Sequence, residues 1–139
     1  MAFDECAPYP CNYEEARKAL DKTKKWLEIC YDTHKNCNQA LFPIVQGAFF
    51  EDLRRESAEF VSKFDTVGYA IGGVSVGEPI EIKNKITQFT APLLPFNKPR
   101  YLMGVGTPVD IINGVKFGID MFDCVLPTRN ARHGTFFTF

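Results

Sequence analysis

"VGYAIGGVSVGEPIEIKNKITQF", residues 67–89, contains one full turn of the cycle that decides the fold. "VGYAI" is a nearly unbroken apolar run that stops at Gly72-Gly73, "GVSVGEP" is turn chemistry, and "PIEIKNKITQF" brings its apolar residues round at helical spacing. A strand with one wet face alternates, whereas a strand covered on both faces reads as a continuous run, the condition met in a parallel sheet. The cycle recurs on both sides. "ALFPIVQG" precedes a helical pattern from about Glu51 to Phe64 with Leu53, Ser57, Phe60 and Val61 inward, "PRYLMGVG" precedes "PVDIINGVKF", and "IDMFDCVL" reads as a further strand. What repeats is the strand-helix unit and not a residue motif, so the pattern predicts an α/β fold with parallel strands in one domain over residues 1–139.

Upstream, "AFDE" is a short apolar stub ending in acids, and "PYPCN" interrupts regular structure. Asn12 and Glu15 then form a capping-box pair. Ala16, Leu20, Thr23, Leu27 and Cys30 recur every three or four residues with Lys18, Lys22 and Lys25 opposite, which predicts an amphipathic helix to about Tyr31, ended by "THKNCNQ".

The 139 residues carry Lys+Arg 16 against Asp+Glu 17, a net charge of −1, so the molecule as a whole offers no cationic field to nucleic acid and any RNA contact is local. No apolar run is long enough for a membrane span, and "MAFDECAPYP" lacks the layout of a secretory signal, which predicts a soluble cytoplasmic protein with no membrane partner. Cys6, Cys11, Cys30, Cys37 and Cys124 show no paired spacing, against a disulfide framework or a zinc site.

Each expected strand ends at a residue awkward for a core: Asp4 after "AF", Gln46 after "FPIV", Gly72-Gly73 after "YAI", Met103-Gly104 after "YL", Asp123 after "MF". In a (β/α) barrel the carboxyl ends of all strands share one face and side chains from several of them meet over a substrate. A carboxylate there keeps its charge because water or substrate reaches it, so Asp123 is read as a catalytic candidate beside the alternative of a solvated turn acid. "GGVSVGEP" lacks the spacing of a phosphate loop or dinucleotide fingerprint. It is either a ledge for a flat ligand or a tight strand-to-helix turn. "TRNAR" reads as a cationic turn able to grip phosphate or base edges. His34 and His133 are isolated, and Trp26 and "TFFTF" are read as packing residues.

"FDEC", "FPIVQG", "GYAIGGVSVGEP", "RYLMGVG" and "GIDMFDCVLPTRNARHG" together, in this order over nearly the whole chain, resemble the queuine/prequeuine tRNA-guanine transglycosylases. The resemblance implies a TIM (β/α)8 barrel of which about five of the eight βα units are present. It implies exchange of guanine at the anticodon wobble position of tRNA for a 7-deazaguanine, in queuosine modification. Asp123 would be the nucleophile at C1′ of the ribose. Asp4 would pair with the N1/N2 edge of the purine, with Gln46 and the Gly73 N–H at its O6. Cys6 and Tyr101 would lie beside these groups, and Met103 would pack on the base. The RNA-contacting stretches would be Gly104, Val105, Gly106, Thr107, Pro108, Val109 and Asp110, and Thr128, Arg129, Asn130, Ala131 and Arg132. Val76 matches the bacterial form and points to prequeuine bases.

By the same resemblance, the early strands and their acid/base aspartate precede Met1, and the zinc insertion follows Phe139, so no cofactor or metal is expected within this chain. The expectation is a fragment of the catalytic barrel, slight in activity alone, whose strands at residues 1–5 and 121–126 are open edges that recruit a second copy or a complementing half. Two other readings stand beside it: a non-catalytic RNA-binding partner subunit, and an unrelated barrel enzyme for a phosphorylated metabolite.

Overall fold

Four short strands, all parallel and laid side by side in chain order, form the sheet of the computed structural model, which describes residues 1–34 and 38–138. The order is α1 (Tyr13–Thr33), β1 (Ile44–Val45), α2 (Glu51–Val61), β2 (Tyr69–Ile71), α3 (Ile80–Thr90), a 3₁₀ turn (Ala91–Leu93), β3 (Arg100–Leu102), α4 (Pro108–Lys116), β4 (Met121–Phe122) and α5 (Leu126–Arg132). This is the α/β architecture expected, consistent with part of a TIM-like barrel. Among the described residues, β1 and β4 are the two margins of the sheet.

Val45 pairs with Ile71, Ile71 with Leu102, and Leu102 with Phe122, so four strands present one registered row. Val45, Ile71 and Leu102 are buried in the main core with Val61, Ile86 and Ile119, and Phe122 packs against it. Strands of two or three residues offer few ladder hydrogen bonds. Burial holds them instead, since each fully enclosed Leu or Ile contributes about 1.5–3 kcal/mol. One step past the row come Gln46, Gly72, Met103 and Asp123, and the register alone sets these four side by side at the carboxyl edge.

α1 starts as expected. Asn12 Oδ1 accepts from Glu15 N and Glu15 Oε2 accepts from Asn12 N, both at 2.9 Å. Ala16, Ala19, Leu20, Thr23 and Leu27 form its buried stripe. A second cluster of Ala7, Ala16, Leu20, Ala48 and Leu53 seats α1 against α2. α4 starts at a Thr107/Asp110 capping box with Pro108 in its first turn. Asp110 also meets Lys83 of α3, Nζ to Oδ1 at 2.5 Å, with both side chains almost enclosed.

Two expectations are corrected. Residues 1–5 form no strand: Ala2 N donates to Phe42 O, while Glu5 N donates to the Thr23 hydroxyl at 2.9 Å, and no ladder with β1 is present. The described sheet therefore has four strands and not five. "TRNAR" is not a turn. It lies in the helix α5, whose first turn carries Pro127 with the φ a helix start needs, and the strand before it spans only Met121–Phe122. Cys37 and Phe139, read within the helix-ending segment and the terminal aromatic cluster, lie outside the described residues.

Candidate base and ribose site

Beyond the registered edge, a cavity of about 410 Å³ is lined by Asp4, Cys6, Gly72, Gly73, Tyr101, Met103, Gly104 and Asp123, among others. Residues that lie up to 119 positions apart, Asp4 and Asp123, thus face one hollow. The chain reaches it from the amino terminus because two anchors fix the extended segment, the Ala2 bond to Phe42 and the Glu5 bond to Thr23.

Asp123 follows β4 and is exposed. Its Oδ1 accepts from the Tyr101 hydroxyl and from Gly104 N, each at 2.8 Å. Two donors on one oxygen hold the carboxylate in place. Burial first, then the bond and charge of Asp123, raise the Tyr101 phenol, so it stays a donor at neutral pH. Gly104 can present its N–H this way because it takes φ +71, a conformation glycine adopts without strain.

On the opposite side Gln46, almost fully buried, donates from Nε2 to Asp4 Oδ2 at 2.6 Å. Its backbone N–H goes to Ser57 Oγ at 3.0 Å. Gln46 therefore stands just behind the lining, with its side chain held on Asp4. Gly73 has φ +65, a conformation that strains other residues, and a Cβ there would lie 2.3 Å from Gln46 Oε1 and force it to move. The Cys6 thiol belongs to the lining of the same hollow. Burial and then the Asp4 charge push that thiol up, which keeps it protonated. Side-chain-free backbone at Gly72-Gly73, the Asp4–Gln46 carboxylate-amide pair and the Asp123 carboxylate leave room for a planar polar ring.

The remaining candidates divide. Gly104 lines the cavity, Val105 and Asp110 are buried, Gly106 is pressed against Cys124, Thr107 caps α4, and Pro108 and Val109 are exposed at its start. Thr128, Arg129, Asn130, Ala131 and Arg132 lie on α5, exposed or half-exposed, and outside the cavity lining. His34 is bonded to Gln39 O at 2.9 Å. Trp26 borders a different, apolar hollow of about 600 Å³ with Phe3, Ile29 and Leu41, whose lining includes neither Asp4 nor Asp123. Among the described residues no group of three metal-ligating side chains comes together.

Sequence reading missed Arg54. It is completely buried on α2 beneath Gly72-Gly73, where Nη1 donates to Gly72 O at 2.7 Å and Nη2 to Gly73 O at 3.0 Å. The signal was present: position 54 shares the inward face with Ser57, Ala58 and Val61, where a charge needs a reason. Glu78 was missed too. It accepts from Ser75 N and from Val76 N, and so closes the "VSVGEP" turn beside the site.

A family model described as Queuine tRNA-ribosyltransferase matches residues 1–139. Proteins named queuine tRNA-ribosyltransferase are 57% identical in Anoxybacillus flavithermus, 58% in Halalkalibacterium halodurans and 55% in Geobacillus thermodenitrificans, each over 139 residues and 99% of this chain. The chain spans 37% of the length of these relatives. No described helix is long and apolar enough to cross a membrane. With its full length matched and more than half of its residues shared with these proteins, the chain belongs to the queuine tRNA-ribosyltransferase family.

Proposed function

We propose that residues 1–139 are one partial catalytic barrel of a cytoplasmic tRNA-guanine transglycosylase, which exchanges guanine at the anticodon wobble position for a 7-deazaguanine of the prequeuine type. The carrying observation is the single hollow that joins Asp4, Cys6, Gly73, Tyr101, Met103 and Asp123. Asp123 attacks C1′ of the ribose, a covalent ribosyl-enzyme forms, and guanine departs with the electrons of the C1′–N9 bond. The incoming base, its N9 proton passing to solvent, then attacks C1′ through N9, and the bond from C1′ to the carboxylate breaks. Two displacements at one carbon retain configuration, as in glycosidases with a carboxylate nucleophile.

Asp4, already bonded to Gln46, takes the N1/N2 edge of the purine, while Gln46 and the Gly73 N–H serve O6. Met103 packs on the ring, and Val76 favours bases without the bulky cyclopentenediol group. The exposed residues of the stretches 104–110 and 128–132 contact the anticodon loop, with Val105 and Asp110 buried beneath them. The presence of Asp4, Gln46 and Asp123 in one arrangement weighs against a partner subunit that does no chemistry.

The test is incubation with substrate tRNA and labelled guanine, for the chain alone and with the portion of the family's length it does not span supplied in trans. Label entering tRNA only when the remainder is present supports the reading. No label in either arm sinks it. With sheet margins at β1 and β4 among the described residues, the chain pairs with a complementing half or a second copy. Light scattering is expected to give a mass above that of one chain, and a monomer with a sharp unfolding transition contradicts this.

A further inference from the structure

Arg54 is a cation in the interior whose hydrogen bonds all go to backbone: Nε to Ala48 O at 2.8 Å, Nη1 to Val45 O at 3.2 Å and Gly72 O at 2.7 Å, Nη2 to Gly73 O at 3.0 Å. No ion pair to a carboxylate is recorded for it among the described residues. Desolvation pulls its pKa down to about 10, still far above neutral pH, so the charge persists. A buried ion costs several kcal/mol, and an apolar side chain of similar volume often stabilises a fold as well. The geometry shows what the charge acts on. Gly72 O and Gly73 O belong to the two peptide planes that flank Gly73, and Arg54 bonds both. The Gly72–Gly73 peptide is trans, so the Gly73 N–H lies on the side opposite the carbonyl that Arg54 holds, and both glycines line the cavity.

We propose that Arg54 is a positioning residue that polarises the Gly72–Gly73 peptide, so that the Gly73 N–H supports the negative charge reaching O6 of the purine as the C1′–N9 bond breaks. This rests on the base-site reading above. Drawing electron density to the Gly72 carbonyl makes the linked N–H a stronger donor, since bonds in a chain strengthen one another by roughly 10–30% each. The electron balance is plain. Asp123 supplies the pair that forms the bond to C1′, N9 keeps the pair of the broken bond, and the purine anion takes its proton from solvent. Arg54 neither gains nor loses a proton. An oriented dipole backed by a full charge costs no reorganisation at that moment.

The test is isothermal titration of the chain with 7-deazaguanine and with 2-amino-7-deazapurine, the same ring without O6, for the unchanged protein, Arg54→Lys and Arg54→Gln. Arg54→Lys keeps a cation but loses the fork. Its affinity for 7-deazaguanine is expected to fall about tenfold, and that for the O6-less base less than about threefold. Equal losses for both bases mean a purely structural role and overturn the proposal. Where a variant does not fold by circular dichroism, the unchanged protein decides: the Gly73 amide proton should move downfield with 7-deazaguanine and not with the analogue. A Gly73 amide that responds alike to both overturns it. If the unchanged chain binds neither base, the base-site reading itself fails and this inference with it. Preference for 7-deazaguanine that survives intact in Arg54→Lys defeats the inference alone.

Discussion

Asp123→Asn is expected to stop guanine exchange, by at least about 10³-fold, and to remove the denaturant-resistant protein–RNA adduct. Asparagine keeps the size of the side chain and an oxygen that can still accept from Tyr101 and Gly104. What it lacks is the anionic oxygen able to form an ester with C1′. Because residue 123 is exposed, stability should change by no more than about 0.5 kcal/mol. The variant should also still bind 7-deazaguanine, since Asp4, Gln46 and Gly73 hold that base without it. Loss of adduct with base binding and stability kept separates a missing nucleophile from a collapsed site. The measurement uses the chain with the remainder of the family's length supplied, and exchange that continues at the unaltered rate contradicts the assignment.

Lys83→Met is expected to destabilise the fold by about 3–5 kcal/mol, the largest effect on stability foreseen for a single side chain. It would leave the Asp110 carboxylate enclosed without its cation. In the native protein burial works to raise Asp110, but the Lys83 and Thr107 bonds outweigh it and the group ends below its ordinary value. A depressed carboxylate stabilises the fold above its unfolded pKa, near 4 or about there, and that contribution is lost as pH falls through the lower folded value. Without Lys83 burial is opposed only by the Thr107 bonds, so protonation relieves the variant. The gap between native and variant stability should therefore narrow as pH falls below about 4. Replacing both partners, Lys83→Met with Asp110→Leu, should restore much of the loss, because no uncompensated charge is left. Chemical denaturation at a series of pH values checks each point. A gap that widens in acid contradicts the account. The pair matters to the site as well, since α4 follows directly from the Gly104–Thr107 segment that aims Asp123.

The sequence revealed the parts of this molecule whose physics is local. The Asn12/Glu15 box and the 3–4 spacing from Ala16 to Leu27 dictate α1, and the apolar runs at Ile44, Tyr69 and Tyr101 dictate buried parallel strands. Because side-chain pattern sets register, residues one step past each run could be named as neighbours before any coordinates: Gln46, Gly72, Met103 and Asp123 do share an edge. Residues 1–5 misled because their apolar pattern fits a strand, while a single non-local bond from Glu5 to Thr23 takes their backbone elsewhere. "TRNAR" misled because a charged, proline-led stretch suits a turn and a helix start equally. Arg54 and the Lys83–Asp110 pair were illegible for a different reason: a charge buried against backbone, or against a partner 27 positions away, leaves no mark in the sequence except its phase on a helix.

The most direct measurement is to trap the adduct with substrate tRNA, digest it with trypsin, and locate the ribose by tandem mass spectrometry. The sugar is expected on Asp123, in the peptide from Phe117 to Arg129. Ribose carried by Asp4 or any other side chain, with the Phe117–Arg129 peptide unmodified, would contradict the account at its centre.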